Sequence, residues 1–161
     1  MELTPYKPAD RAQALHVALR AWRPVFEHMR EAVPGFVYDN FYPDGWEARQ
    51  IADLGAVLDD NPDDITVATM DDQIVGWISI KIHPEDNMGE IHVVCVDPAY
   101  QRQGIGKRLM DHAHQAIRQA GMGMVMVETG GDPGHATAQT TYEAAGYQRW
   151  PVARYFKDLT D

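Results

Sequence analysis

The sequence predicts an α/β or α+β sandwich around one central sheet, and three observations support this fold class. Apolar residues recur at helical spacing in some segments and form β-rich runs in others, and the two kinds of segment follow one another in mixed order. The chain has 161 residues, 45% apolar and 24% charged, as is typical of globular proteins. We therefore expect a single domain spanning residues 1–161.

The N-terminal part is expected to contain a short strand at residues 3–6 and two helices. Asp10 can cap the first helix and Asp44 the second. Pro24 falls within the pattern of the first helix, so we expect a kink or break there. Residues 25–46 mix aromatic side chains with glycine and proline, which predicts a loop. The apolar stripes at helical spacing are Ala14, Leu15, Ala18, Leu19 and Trp22 in the first helix and Ile51, Leu54 and Leu58 in the second.

The remainder of the chain is expected to supply the other strands and two more helices. A polar turn at residues 71–73 separates two β-rich runs, which is typical of a hairpin. Gly121 is a natural end for the longer of the two helices. The predicted strands are residues 65–70, 74–82, 91–96, 122–128 and 152–157, and the predicted helices are residues 104–120 and 136–145.

Charge and cysteine content exclude some classes of protein. The formal net charge of −10 argues against a nucleic-acid partner, which would require a basic face. Cys95 is the single cysteine, so an intrachain disulfide is impossible, in keeping with a reducing compartment. The polar N-terminus and the lack of a long apolar run favour a cytoplasmic protein without a membrane partner.

The most informative segment follows the strand at residues 91–96, where two glycines open a helix. Helix N-termini present unpaired N–H groups and a partial positive charge, so they bind phosphate. A dinucleotide fingerprint would need a third glycine where Leu109 stands, and a P-loop would need Ser or Thr where Arg108 stands. The loop itself reads Gln101-Arg102-Gln103-Gly104-Ile105-Gly106.

This loop matches the pattern Gln/Arg-x-x-Gly-x-Gly and resembles the acetyl-CoA signature of the GNAT N-acetyltransferase superfamily. The resemblance continues in Val96-Asp97-Pro98, just before the loop, and in a later helix, with His135 in place of the usual Asn. The matching positions of that helix are His135, Ala138, Tyr142, Glu143, Gly146 and Tyr147. The order of elements resembles the family over essentially the whole chain.

The resemblance implies a mixed, mostly antiparallel sheet of six to seven strands with about four helices, splayed between the fourth and fifth strands. It also implies acetyl-CoA as cosubstrate, with the pantetheine arm in that gap. The backbone of Val94, Cys95 and Val96 would bind the pantetheine. The pyrophosphate loop would comprise Gln101, Arg102, Gln103, Gly104, Ile105, Gly106 and Lys107, with further contacts from His135, Ala138 and Tyr142.

Acetyl transfer to an amine requires a base for the amine and a donor for the departing thiolate. The resemblance implies Glu90 as the base and Tyr142 as the acid. An exposed turn glutamate and a tyrosine that only packs are the alternatives, and His92 or Glu128 could serve instead of Glu90. Regular strand alternation places Cys95 opposite Glu90, so we expect direct transfer in a ternary complex and no cysteine acyl intermediate.

The acceptor is expected to be a primary amine of a small molecule or peptide. The family builds its acceptor site largely from the first two helices, their connection and the last strands, a region that is aromatic and acidic here. A cationic amine would suit such a pocket, and the alternative is that the aromatic residues pack in the core and the acidic residues are solvated. A non-catalytic acyl-CoA-binding module is the alternative function. We expect no metal and, because dimers are common in the family, a homodimer.

Overall fold

The computed structural model describes residues 1–160, which form one five-stranded sheet with helices on both faces. The strands are β1 (Glu2–Pro5), β2 (Ile65–Met70), β3 (Gln73–His83), β4 (Met88–Val96) and β5 (Met124–Val127). The helices are α1 (Arg11–Ala32), α2 (Gly35–Phe41), α3 (Trp46–Asp60), α4 (Ile105–Gln119) and α5 (Ala136–Ala144). No helix within residues 1–160 is both long enough and apolar enough to span a membrane.

The strands lie in chain order, with antiparallel pairing from β1 to β4 and parallel pairing between β4 and β5. The parallel pair is short: β5 pairs only with Met88–Ile91, whereas β4 continues to Val96. A gap therefore opens beside the second half of β4, and the predicted splay between the fourth and fifth strands is confirmed. The predicted mixed sheet is also confirmed, with five strands instead of six or seven.

Each face of the sheet carries its own hydrophobic core. On the first, called the α1 face, α1 and α3 pack against Trp77, whose Nε1 donates a hydrogen bond to Ala14 O at 2.9 Å. On the second, called the α4 face, Leu109 and Ile117 of α4 pack against Ile78 of β3. Apolar burial on both faces makes the sheet a rigid platform for the segments that leave its edge.

A β-bulge interrupts the pairing of β3 with β4. Ser79 pairs with Val93 and Ile80 pairs with Ile91, which leaves His92 as an extra residue on β4. Such a bulge bends its strand and changes the direction of the side chains that follow.

The bulge overturns the alternation that the sequence analysis assumed for β4. Ile91 belongs to the core of the α4 face, whereas Val93 and Cys95 belong to that of the α1 face. Glu90 lies on the α1 face, because its neighbours Gly89 and Ile91 face α4. Cys95 and Glu90 thus share a face, and the prediction that they lie on opposite faces is wrong.

Two features of the N-terminal half differ from expectation. Of the kink or break expected at Pro24, the break is absent: helix α1 continues through the proline, since packing holds it on both sides, at Ala18 before the proline and at Phe26 after it. The predicted loop at residues 25–46 contains the last turns of α1 and the whole of α2. A single missing N–H costs one hydrogen bond, which tertiary contacts can offset.

The predicted strand at residues 152–157 is absent, and residues 147–160 contain no regular secondary structure. Val152 and Tyr155 are 80% and 90% exposed. A strand requires a hydrogen-bonding neighbour, and within the described chain β5 pairs only with β4. The β-rich composition of this segment did not create a strand because no strand lies beside it.

Candidate active site

The loop between β4 and α4 has the backbone geometry of an anion-binding site. Arg102 and Gly104 adopt left-handed conformations, with φ of 62° and 80°, and Gly104 is the N-cap of α4. Left-handed residues at a turn direct successive N–H groups toward one point. No atom lies within 4 Å of the position that a Cβ on Gly104 would take, so the space beside the loop is open.

The first turn of α4 adds free donors and positive charge to this loop. The N–H of Arg108 bonds to Gly104 O at 3.1 Å, so the N–H groups of residues 105–107 precede the first hydrogen bond of the helix. Arg102 and Lys107 are exposed, and the ammonium of Lys107 lies 2.6 Å from Asp111 Oδ2. Donors, helix dipole and cations together suit a pyrophosphate.

The start of the loop is tied to α1 by a partly buried ion pair. Nε of Arg20 lies 2.9 Å from Asp97 Oδ2, and its terminal nitrogen donates to Oδ1 at 3.2 Å. Asp97 Oδ1 also accepts the N–H of Ala99 at 2.9 Å, which caps the short turn at residues 98–100. The carboxylate therefore joins β4, the loop and α1.

The residues predicted to bind pantetheine lie on the half of β4 that has left β5. Val94 and Val96 pack toward the α4 face and Cys95 toward the α1 face. Gln101 Nε2 donates to Val96 O at 3.1 Å, which links this stretch to the loop. Backbone groups on the open edge of this stretch are available to an extended ligand in the gap.

Glu90 carries an imidazole on each carboxylate oxygen. Nε2 of His83 lies 2.7 Å from Oε2, and Nδ1 of His92 lies 3.3 Å from Oε1. The Glu90 side chain is 20% exposed. Burial acts to raise the pKa of Glu90, but the hydrogen bonds to His83 and His92 and the charges of His92 and Lys81 outweigh it and hold the pKa below its usual value.

Tyr142 lies on α5 and packs against the core of the α4 face. Its ring centroid is 5.8 Å from that of Tyr147, whose hydroxyl lies 2.6 Å from His114 Nε2. Burial raises the pKa of Tyr142 and raises the pKa of Tyr147 to about 12, the latter with a contribution from Tyr142. Both phenols therefore remain protonated at neutral pH and can donate.

Tyr142 and Glu90 approach the sheet from different faces. The gap beyond Ile91 is where the two faces communicate, because β4 has no hydrogen bonds to β5 there. A thioester lying in the gap would be open to Glu90 from one side and to Tyr142 from the other.

His135 is held by a neighbouring carboxylate. Its Nδ1 lies 2.6 Å from Asp132 Oδ1, and both side chains are largely buried, 17% and 13% exposed. Gly134 of the same turn lies against α1 near Val25 and His28. Ala138 is half-buried one turn into α5. The Asp132–His135 contact thus closes the turn before α5, and Gly134 of that turn lies against α1.

Cys95 and Glu128 occupy unfavourable positions for catalysis. Cys95 is 5% exposed, and burial, with a smaller opposing hydrogen bond from Trp77, raises the pKa of its thiol well above the usual range. A buried, protonated thiol is a poor nucleophile. The Glu128 side chain is 80% exposed and lies 3.9 Å from Arg154.

The aromatic region between α1 and α3 is mostly packed against itself. The Phe26 ring stacks on Trp46 at 4.7 Å between centroids and meets Tyr42 edge-on at 5.2 Å. Arg23 lies over the Trp46 ring, and Arg30 lies over Tyr38. A guanidinium group therefore already covers a face of two of these aromatic rings, where a substrate cation could otherwise bind.

A groove of about 340 Å³ remains between α2 and the C-terminal segment. Phe41 and Phe156 meet across it edge-on, at 5.9 Å between centroids. It lies where the resemblance predicted the acceptor site, between the region after α1 and the end of the chain. Its lining includes Lys157 and Asp158, so it offers one charge of each sign.

Three residues of the site were missed by sequence reasoning: His83, Arg20 and Asp132. Across the hairpin His83 pairs with Met88, so Glu90, two residues further along β4, is its diagonal neighbour on the same face of the sheet. That spacing was a usable signal for His83. Arg20 belongs to no motif, since its contact with Asp97 depends on how α1 packs. Asp132 caps the turn at residues 133–135 and contacts His135 three residues later, so an Asp directly before Pro133 was a usable local signal.

Comparison with known proteins identifies several acetyltransferases to which this chain is similar. The family model described as acetyltransferase (GNAT) family matches residues 22–147. A mycothiol acetyltransferase of Rhodococcus erythropolis is 32% identical over 115 residues, covering 67% of this chain and 38% of the relative. A mycothiol acetyltransferase of Thermomonospora curvata is 33% identical over 92 residues, covering 57% and 30%. The matched regions thus span about a third of these curated relatives.

Solved structures of other acetyltransferases have a fold similar to that of this chain. The PaiA N-acetyltransferase of Thermoplasma acidophilum, in complex with coenzyme A, superposes with a TM-score of 0.65 at 17% identity, covering 91% of this chain and 89% of that chain. The aminoglycoside 6'-N-acetyltransferase AAC(6')-IG of Acinetobacter haemolyticus gives a TM-score of 0.64 at 16% identity over the whole of both chains. At these identities the likeness shows the fold alone.

Proposed function

Because the chain belongs to the acetyltransferase (GNAT) family, we propose that it transfers an acetyl group from acetyl-CoA to a primary amine of a small molecule or peptide. The observation that carries the proposal is the loop at residues 101–106, which opens α4 directly beside the gap where β4 leaves β5. This loop, called the cradle, and the open strand edge beside it suit two adjoining parts of coenzyme A, the pyrophosphate and the extended pantetheine amide chain.

We assign the pyrophosphate to the backbone of Gln101, Arg102, Gln103, Gly104, Ile105, Gly106 and Lys107. Pantetheine would lie along Val94, Cys95 and Val96, with Ala138 and Tyr142 closing the gap from α5. His135 contributes by holding the loop before α5, since its imidazole is engaged by Asp132. Exposed cations at Arg102 and Lys107 raise the local concentration of an anionic ligand on an otherwise acidic protein.

The chemistry proposed for this site is direct attack of the amine on the thioester. The nitrogen–carbon bond forms, the carbon–sulfur bond breaks, the amine proton passes to the group centred on Glu90, and Tyr142 donates to the departing thiolate. Burial of Cys95 supports a single transfer within a ternary complex, because an acyl-enzyme would need an accessible thiolate.

One observation favours the second candidate function, a non-catalytic acyl-CoA-binding module. Glu90 and Tyr142 lie on different faces of the sheet, and they can serve one reaction only if the thioester reaches the gap between them.

The acceptor would enter from the groove beside α2. Two of the similar proteins are named for different acceptors, mycothiol and an aminoglycoside. We therefore infer the acceptor of this chain from the residues that line its groove and not from those names.

Calorimetric titration with acetyl-CoA, with NAD and ATP as controls, tests the cradle. Selective binding of acetyl-CoA is expected. Transfer is then assayed by mass spectrometry with four primary amines: tyramine, spermidine, lysine amide and an alanyl peptide. An acetylated amine supports the proposed transferase. Binding of acetyl-CoA with neither an acetylated amine nor hydrolysis of acetyl-CoA supports the non-catalytic binding module. Preference for a nucleotide would overturn both.

A further inference from the structure

Glu90 does not stand alone in this structure, because an imidazole contacts each of its carboxylate oxygens. We propose that Nε2 of His92 is the atom that takes up the amine proton, that Glu90 is the carboxylate partner of His92, and that His83 is a positioning residue for Glu90. This inference rests on the proposed acetyl transfer and specifies the proton acceptor within it. The three residues are called the His83–Glu90–His92 cluster.

The hydrogen bonds of the cluster determine which nitrogen of each ring carries a proton. An ionised carboxylate only accepts hydrogen bonds, so Nδ1 of His92 and Nε2 of His83 must both be N–H groups. Neutral His92 then has its lone pair on Nε2, the nitrogen that points away from Glu90. Such a carboxylate–imidazole pair holds the ring in the basic tautomer and stabilises the imidazolium that forms.

Of the three cluster residues, His92 lies nearest in sequence to the part of β4 that borders the gap, where the reaction is proposed. The last pair between β4 and β5 joins Ile91 to Val127, so His92 is the first residue of β4 beyond the parallel ladder. It is also the bulged residue of the β3–β4 pair. Glu90, by contrast, is still paired with Met126 of β5. The bulge thus places an imidazole at the edge of the gap, with Glu90 behind it.

His83 is suited to hold Glu90 and poorly suited to meet the substrate. Its Nε2 is used by Glu90, and its Nδ1 lies 3.7 Å from Oε1 of Glu85, which belongs to the turn before β4. Lys81 is the cross-strand neighbour of Glu90. The charged groups facing Glu90 are therefore His83, His92 and Lys81, and all of them favour its ionised form.

The protons balance across the proposed step. As the amine nitrogen bonds to the thioester carbon, its proton moves to Nε2 of His92, which becomes an imidazolium paired with the negative charge of Glu90. The sulfur leaves with the electron pair of the broken bond and takes a proton from Tyr142, and the Tyr142 phenolate then regains a proton from water. The His92 side chain is 30% exposed, so the imidazolium can return its proton to water.

Nitrogen-15 NMR of the histidine rings in the intact protein tests the arrangement without any substrate. Above neutral pH we expect His92 as the Nδ1–H tautomer and His83 as the Nε2–H tautomer, assigned by comparison with His92→Asn and His83→Gln. Glu90→Gln should shift the His92 tautomer, and the matched control Glu85→Gln should leave it unchanged. His92 found as the Nε2–H tautomer would overturn the proposal.

Kinetics separate the roles within the cluster, using whichever amine of the four-member panel is acetylated fastest. His92→Asn keeps a donor near Glu90 but removes the base, so we expect kcat/KM to fall by about 100-fold or more and its rise with pH between about 5 and 8 to disappear. His83→Ala should lower kcat about 10-fold with the KM for acetyl-CoA unchanged, and His83→Gln, which retains a donor, should restore most of it.

Two failures are distinguishable in this experiment. Absence of an acetylated product from the wild-type protein would refute the proposed function. If the wild type is active and His92→Asn keeps both its rate and its pH dependence, while Glu90→Gln is inactive, Glu90 itself is the base and the inference fails alone. A His83→Gln variant as slow as His83→Ala would remove His83 from its positioning role.

Discussion

Arg20 on α1 and Asp97 at the end of β4 form a two-point ion pair, with nitrogen–oxygen distances of 2.9 and 3.2 Å. Asp97 is 8% exposed, and its carboxylate oxygens contact Arg20 and the N–H of Ala99. The same carboxylate sets the course of the chain into the loop at residues 101–106. Helix α1, which covers one face of the sheet, thereby supports the proposed cradle that follows β4.

Arg20→Met should weaken both the fold and acetyl-CoA binding. The variant leaves a largely buried carboxylate without its cation, and because Arg20 is itself half exposed we expect a loss of about 1–2 kcal/mol in the free energy of unfolding. The affinity for acetyl-CoA should fall several-fold as the loop loses its anchor. Urea denaturation and calorimetry measure the two effects.

Arg11→Met is the matched control for that variant. Arg11 also makes a two-point pair, with Asp59 at 2.7 and 2.9 Å, but both partners are about half exposed. Because water screens an exposed pair, we expect little loss of stability and no change in acetyl-CoA affinity. Equal effects of the two variants on affinity would contradict the anchoring role of Arg20.

Gly104→Val should abolish acetyl-CoA binding while the protein remains folded. The residue has φ of 80°, so a branched side chain is strained there by about 1–3 kcal/mol, and its Cβ would project into the open space where we place the pyrophosphate. Gly121→Val, at the other end of α4, has the same type of backbone (φ of 84°) and equally open surroundings. The Gly121→Val variant should lose similar stability but still bind acetyl-CoA. Calorimetric titration of both variants with acetyl-CoA measures the difference, and equal losses of affinity would contradict the assignment of the cradle.

Local pattern was sufficient to predict most of the sheet and the cradle. Strands β2 and β3 and helix α4 were predicted to within one residue or so, because each has a strong periodic pattern with polar turns or glycine at its ends. The splay followed from the family resemblance. The break expected at Pro24 does not occur: local chemistry disfavours proline in a helix, but packing of Ala18 and Phe26 holds α1 together.

The proton-transfer residues were only partly predictable, since they depend on register. Glu90 and Tyr142 came from the resemblance, but the bulge at His92 has no signature in the sequence, and it reverses the facing of Cys95. The absent strand at residues 152–157 has a related cause, because a strand forms only where a neighbour is available. Both errors concern long-range pairing, which a single-residue pattern does not encode.

Tyr142→Phe should slow acetyl transfer by about 10²-fold with little change in acetyl-CoA affinity, since only the donated proton is lost. Tyr147→Phe is the control: it removes a hydroxyl that contacts His114 at 2.6 Å in the same buried cluster, so it should lower stability and leave the rate nearly intact. Steady-state kinetics measure the rate of transfer in both variants, and calorimetry measures their affinity for acetyl-CoA. An unchanged rate in Tyr142→Phe would make Tyr142 a packing residue.

Glu90→Gln should change how stability depends on pH. The folded-state pKa of Glu90 is below its ordinary value of 4.5, so its ionised form stabilises the fold above that value, and this contribution is lost as the pH falls through the folded-state pKa. The stability difference between wild type and variant should therefore be largest near neutrality and shrink below about pH 4.5. Melting temperatures from pH 7 to pH 3, with Glu85→Gln as control, test this, and a constant difference would contradict it.

Cys95→Ala should retain acetyl transfer at close to the wild-type rate. The bulge puts Cys95 on the same face as Glu90, so strand alternation no longer excludes it as a nucleophile; its burial does. Loss of a buried sulfur against Trp77 should cost about 1–2 kcal/mol of stability. Intact-mass spectrometry after mixing with acetyl-CoA should show no acetyl adduct on the wild-type protein. An adduct that disappears in Cys95→Ala, together with loss of transfer, would replace direct attack by a two-step route through the thiol.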